Sequence, residues 1–441
     1  MFNCHQEQLS NGLIILRIPM PAVKSLTAMT LVNVGSRFER PVEYGLAHVV
    51  EHMVFKGTKQ YPDRLKMAIE LDGIGANSNA FTSKEYTGFY VTVASHHYET
   101  SLKILKELIF APLLRQQDLE QEKQVIIEEI RMRYDSPEDY IAEEFERLIY
   151  QGSGLEHPIS GSVESVINLK TEFVRSFLDS WYGLGNIVLV LAGDAKLLNQ
   201  PEFLKTTKKI FSAQPTAKQN EWAKKRQTLL KAPPISNQRL LVSHRETAQA
   251  HLTLGWPALK RDDPQRYVLS VLSVVLGGNR SSRLFNTVRE NKNLAYYVHA
   301  DVDQYHDVGL FGACAGVNLD RVQEGIEAIV KEFYQIASEA DPVKSAELQK
   351  AKDYLTGKMV LNLEDSQSVA YYYGLRKMLL NRVEDPEEVS QKIQQVTIAE
   401  VQELAKKLIQ PKQLRLGVIG PEVKLKGVNQ AWLDQIDRAG L

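Results

Sequence analysis

His48 and His52 stand four residues apart in the run His48-Val49-Val50-Glu51-His52. On a helix that spacing stacks two side chains on one face, so both imidazoles can reach a single cation. Glu51 directly precedes the second histidine and lies beside that cation, available to handle a proton. Two histidine ligands, one further ligand, a water and a carboxylate base are what a zinc peptidase requires. The order here is the inverted form, His-x-x-Glu-His, which leaves the histidine pair in place and moves the carboxylate to its other flank. Such a five-residue pattern arises by chance in roughly one or two of a hundred chains of this length, so its surroundings must support it.

They do. Leu46, Val49, Val50 and Met53 follow the spacing of a buried helical face, and His48, Glu51, His52 and Phe55 form a second stripe beside it. Gly57 is expected to end the helix at its C′ position. The plainer alternative is a pair of structural histidines with a surface glutamate. A third ligand must come from elsewhere, and the acidic helix around Glu120 to Ile130 is the best source. Glu122 and Glu129 share a face two turns apart, whereas Glu128 is rotated about 100° from Glu129 on an ideal helix. Spacing leaves both Glu128 and Glu129 open, and a solvated charged face is the bland fate of any such helix.

Composition narrows the classes. The 441 residues carry 53 basic and 54 acidic side chains, a formal net charge of -1, so no global field points to nucleic acid or to an acidic membrane. Cys4 and Cys314 are too few for a disulfide framework or a cysteine-rich zinc site, which leaves histidine and carboxylate as metal ligands. The first eleven residues lack a basic stretch followed by an apolar one, and no segment reaches membrane-spanning length. The expectation is a soluble, cytoplasmic protein.

The elements that must position these residues read as α+β. Strands are expected at 13–18 and 25–34, then the motif helix, a helix at 63–71, and strands at 79–82 and 86–94 around a polar corner, Ser83-Lys84-Glu85. Helices follow at 98–110, 118–134, 139–150 and 171–181, and an apolar strand at 187–192. A stretch rich in Pro, Lys, Gln and Ser then reads as a connector. After it the order begins again, with strands at 240–243 and 251–256, a helix at 265–276, paired strands at 296–302 and 308–315, and helices at 319–337, 346–361 and 366–381. A capping box at Thr397 and Glu400 opens another helix, and a strand at 414–420 closes the series. This predicts a duplication: two similar domains, 1–212 and 239–441, each a mostly antiparallel sheet packed with helices, joined by a linker at 213–238. The matching helix of the second half, Ser270 to Leu276, carries no metal-binding residues.

The chain resembles the inverzincin family of pitrilysin, insulin-degrading enzyme and mitochondrial processing peptidase. The resemblance rests on Gly45 through Thr58 around the motif, on Asn79-Ala80-Phe81-Thr82 and Glu85-Tyr86-Thr87, and on Glu122 with Val125 through Ile130. It implies one Zn2+ per chain on His48, His52 and Glu129, with Glu51 as catalytic base and Glu122 assisting. It also implies that Asn79, Ala80 and Phe81 hold an extended peptide by strand addition. In the second half, Arg283 through Glu290 leads to Leu294-Ala295-Tyr296, and the resemblance makes Arg289 and Tyr296 substrate-binding residues that reach the reacting carbonyl. The implied activity is a zinc metalloendopeptidase acting on peptides or small unfolded polypeptides in an enclosed chamber. Larger relatives carry four such domains in one chain, so a partner is expected: a homodimer, or a heterodimer with a paralogue. The alternative is a non-catalytic structural or peptide-binding subunit of the same fold.

Overall fold

In a computed structural model, residues 2–212, 221–230, 238–338 and 340–439 are described. Most of the expected linker, 213–238, lies outside them; within it Glu221–Leu229 is a helix. Two sheets are present. The first has six strands, His5–Gln8 (β1), Ile14–Met20 (β2), Ser25–Val32 (β3), Asn77–Thr82 (β4), Thr87–Ala94 (β5) and Ile187–Asp194 (β6), in the order β1-β2-β6-β3-β5-β4. The second has five, Leu240–His244 (β7), Ala250–Ala258 (β8), Ala295–Gln304 (β9), Gly309–Val317 (β10) and Arg415–Gly420 (β11), in the order β7-β11-β8-β10-β9. Setting β1 aside, the two orders are the same. In each, the closing strand pairs parallel with the opening one and every other neighbour is antiparallel. The expected repeat of element order is therefore a repeat of sheet topology. Strand β1, which has no apolar alternation to announce it, forms a hairpin with β2.

Both faces of the first sheet are covered, which explains why β6 reads as an unbroken apolar run and is buried along its whole length. Leu189 and Leu191 face the core that includes the motif helix, while Val188 and Val190 face a second core. That second core is built by Val369, Ala370, Tyr373 and Met378 of the helix Ser366–Leu380. A Cβ at Gly374 would come within 2.6 Å of the Leu31 side chain and 2.8 Å of that of Val190, so a larger residue would make those side chains or the helix shift.

The compact units thus cut across the expected boundaries. One comprises 1–130, 157–230 and 359–386; the other comprises 131–156, 231–358 and 387–441. The second unit receives the helix Pro137–Ile149, whose Ile141 and Phe145 pack against Gly417 of β11. Its opposite face carries the helix Val322–Ala337, whose Phe333 ring lies 4.9 Å from that of Trp256 on β8. Each unit completes its sandwich with a helix from the other half of the chain. Sequence periodicity shows that such a helix buries a face, but not on which sheet.

In the polar corner Ser83-Lys84-Glu85, Lys84 and Glu85 are buried and Ser83 is half-buried. The amides of Ser36 and Arg37 donate to the carbonyls of Ser83 and Lys84, and Arg37 pairs with Glu85 at 2.7 Å with both side chains fully enclosed. Burial of these charges is tolerated because each meets a partner. Cys4 and Cys314 form no disulfide. No described helix is long and apolar enough to cross a membrane.

Candidate metal centre

The motif helix is Leu46–Val54, with Leu46, Ala47, Val49, Val50, Met53 and Val54 buried. It starts at Gly45, whose φ of +93° and whose approach to Ser160 (2.6 Å from an added Cβ) exclude a side chain. The helix N-terminus is held by a residue that sequence reading missed. The buried Glu39 carboxylate accepts from the amides of Gly45 at 2.8 Å and Ala47 at 2.6 Å, satisfying donors that a helix start leaves orphaned. Burial pushes this carboxyl up to about 8 despite those two donors. At the other end the cap is Phe55, and Gly57 lies beyond it. Gly57 is not the C′ residue; it is required where the chain passes Pro62, whose carbonyl oxygen an added Cβ would approach to 2.8 Å.

The half-buried flank of this helix carries the site. His48 Nε2 and His52 Nε2 face each other at 3.2 Å. The Glu129 carboxylate, on the helix Gln116–Asp135, lies 3.6 Å from the first nitrogen and 3.8 Å from the second. These separations are too long for the carboxylate to hydrogen-bond either ring. They suit three donors around one ion, since tetrahedral ligands about 2.0–2.2 Å from zinc stand roughly 3.3–3.5 Å apart. Among the described residues this is the one group of three or more His, Cys, Asp or Glu side chains close enough to hold a metal. Two imidazoles and a carboxylate are a donor set that suits zinc. Glu128 is exposed, so the geometry brings in Glu129 and leaves Glu128 out.

Glu122 does a different job. Its Oε2 lies 2.9 Å from His52 Nδ1, and its Oε1 pairs with Lys56 Nζ. A carboxylate on Nδ1 fixes the tautomer that presents a bare Nε2 to a metal. Burial opposes the His52 imidazolium, but Glu122, Glu129 and Glu51 together carry its pKa above the usual value. Burial also opposes the Glu122 carboxylate, and the His52 and Lys56 contacts outweigh it, holding the group below the usual range. Lys56 was not foreseen. Replacing Glu122 by Gln is expected to weaken zinc binding about 10–100-fold, measured by competition with a chromogenic chelator; unchanged affinity would contradict this role.

Glu51 takes no part in the ligand set. Its Oε2 accepts from the Thr82 hydroxyl at 2.5 Å. Burial raises its pKa, moderated by Thr82 and His52. Thr82 ends β4, the edge strand of the first sheet, which also carries Asn79, Ala80 and Phe81. Asn79 is exposed and Ala80 buried, as alternation along a strand requires. The Phe81 ring lies over Gly88, its partner on β5.

In the second unit, Arg289 lies in a π-helical turn, Phe285–Asn291, and Tyr296 near the start of β9. The guanidinium is 4.8 Å from the Phe285 ring and 5.8 Å from that of Tyr296, which is 71% exposed. Both line a groove of about 630 Å³ with Asn293, Asn318 and Lys424. The expected pair is therefore adjacent and open to solvent.

The fold is thus two α+β units whose sheets share one topology, the first bearing the His-x-x-Glu-His motif, and comparison with known proteins gives the family. Residues 16–163 match the model described as Insulinase (Peptidase family M16), and residues 168–355 match Peptidase M16 inactive domain. The chain belongs to peptidase family M16. It is 32% identical over 411 residues to the "Uncharacterized zinc protease YmxG" of Bacillus subtilis, covering 93% of this chain and 97% of that protein. A Streptomyces coelicolor protein, also called an uncharacterized zinc protease, is 31% identical over 94% of this chain and 88% of its own length. In fold, the chain superposes on a protease from Helicobacter pylori with a TM-score of 0.85 at 22% identity, over 96% of this chain and 100% of that one. It also superposes on a chain of Complex III2 from Candida albicans with a TM-score of 0.81 at 16% identity, over 99% and 100%.

Proposed function

We propose that this protein is a zinc-dependent endopeptidase acting on extended peptides or small unfolded polypeptides. The observation that carries the reading is the convergence of His48, His52 and Glu129, with Glu51 beside them and outside the ligand set. Zinc held there supplies Lewis acidity that polarises a carbonyl and acidifies water. Glu51 takes the proton of the attacking water and delivers it to the leaving amine. Glu122 holds His52 in register. The edge of β4 pairs with the substrate backbone through Asn79, Ala80 and Phe81, and Arg289 and Tyr296 donate to its carbonyl oxygens. Because one chain carries both the metal set and the Arg/Tyr pair, a homodimer with one zinc per chain is the assembly that this reading favours. A purely structural subunit has no use for a carboxylate base beside two histidines and a third ligand.

The test is hydrolysis of a mixed fluorogenic peptide library by the purified chain. Cleavage that a zinc chelator abolishes is the expected result. A zinc-loaded chain that cleaves no member would count against the reading and in favour of a non-catalytic role.

A further inference from the structure

The contact between Thr82 and Glu51 is a hydrogen bond from the edge strand β4 to the motif helix. Thr82 is the last residue of β4, and its backbone is set from two sides. It pairs with Thr87 across the ladder, and the turn that follows is closed by the Ser83 amide on the Tyr86 carbonyl at 2.8 Å. The same turn is clamped by the amides of Ser36 and Arg37 on the carbonyls of Ser83 and Lys84, at 3.2 and 2.8 Å. A β-branched side chain has few accessible χ1 rotamers, so a fixed backbone fixes the hydroxyl. That hydroxyl reaches Glu51 Oε2 at 2.5 Å, a short bond of the kind expected for a hydroxyl on a carboxylate. Glu51 is a long, half-buried side chain with three rotatable bonds to restrain.

We propose that Thr82 is a positioning residue for the base. Its hydroxyl holds Glu51 Oε2 and leaves Oε1 as the proton acceptor, so the strand that pairs with substrate also sets the direction of the carboxylate. This rests on the peptidase reading and adds a residue to it. Thr82→Val keeps the shape and the β-branching and removes the donor. It is expected to lower kcat about 10–100-fold, as a misaimed catalytic group does, with KM within about twofold and one zinc per chain retained. Thr82→Ser, which restores the hydroxyl, is expected to recover most of kcat. A purely structural loss would not be rescued by the smaller Ser and would move KM or zinc content as well.

A second readout does not depend on turnover. In a thermal-unfolding cycle of Thr82→Val, Glu51→Ala and the double variant, the Tm shifts should be non-additive, because each change breaks the same bond. Wild-type kcat in Thr82→Val, or additive Tm shifts, overturns the proposal while leaving the peptidase reading intact. A zinc-loaded wild-type chain without hydrolytic activity overturns the peptidase reading and the positioning role with it.

Discussion

Glu51→Gln should bind zinc as the wild type does and lose peptide hydrolysis by about 10²–10⁴-fold. The argument is geometric. The candidate ligand atoms belong to His48, His52 and Glu129, and Glu51 is hydrogen-bonded to Thr82 instead. A glutamine there keeps an oxygen for the Thr82 hydroxyl and the volume of the side chain, so the helix and the ligand set remain. What disappears is the acceptor for a proton. Kinetics on a fluorogenic peptide, with zinc content measured on the same sample, checks this. A variant that keeps wild-type kcat, or one that loses its zinc, would show that Glu51 is not the base outside the ligand set.

Residues 1–212 expressed alone should fail to fold to a stable domain, and the same residues co-expressed with the remainder as two chains should give a soluble one-to-one complex. The helix Ser366–Leu380 buries Val369, Ala370, Tyr373 and Met378 against Leu16, Ile18, Met29, Leu31, Val188 and Val190. At about 1.5–3 kcal/mol for each large apolar side chain buried, Val369, Tyr373 and Met378 alone account for much of the 5–15 kcal/mol by which a typical domain is stable. Without the helix, one whole face of the first sheet meets water. The exchange is mutual, because Pro137–Ile149 belongs by packing to the second sheet. Solubility, far-UV circular dichroism and cooperativity of unfolding provide the check. A fragment of residues 1–212 with a sharp transition at the intact protein's Tm would contradict it.

Most of the site lay in the sequence because most of it is local. The histidine pair, Glu51 and the buried stripe Leu46, Val49, Val50 and Met53 share one helix, where periodicity alone sets direction. Choosing Glu129 over Glu128 needed the packing of a second helix, although a signal was present. On an ideal helix, Glu129 sits about 80° from the centre of the stripe Leu119, Ile126 and Ile130 and beside Glu122, while Glu128 points about 180° away. The residues that were missed act across loops. Glu39 reaches the start of the motif helix from an irregular segment, and Thr82 meets Glu51 only once β4 is in place. Lys56 finds Glu122 only when two helices are packed. The expected domain boundaries followed chain order, whereas the compact units follow which sheet a helix covers; Gly374, a glycine inside a long helix, was a local sign of close packing.

The most direct test of the account is to strip the metal from the intact protein, add zinc back in steps, and follow peptide hydrolysis. Activity should rise linearly and break at one zinc per chain, and the His52→Ala chain should stay silent throughout. Full activity in the metal-free protein, or a His52→Ala chain that regains it, would contradict a catalytic zinc centre at His48, His52 and Glu129.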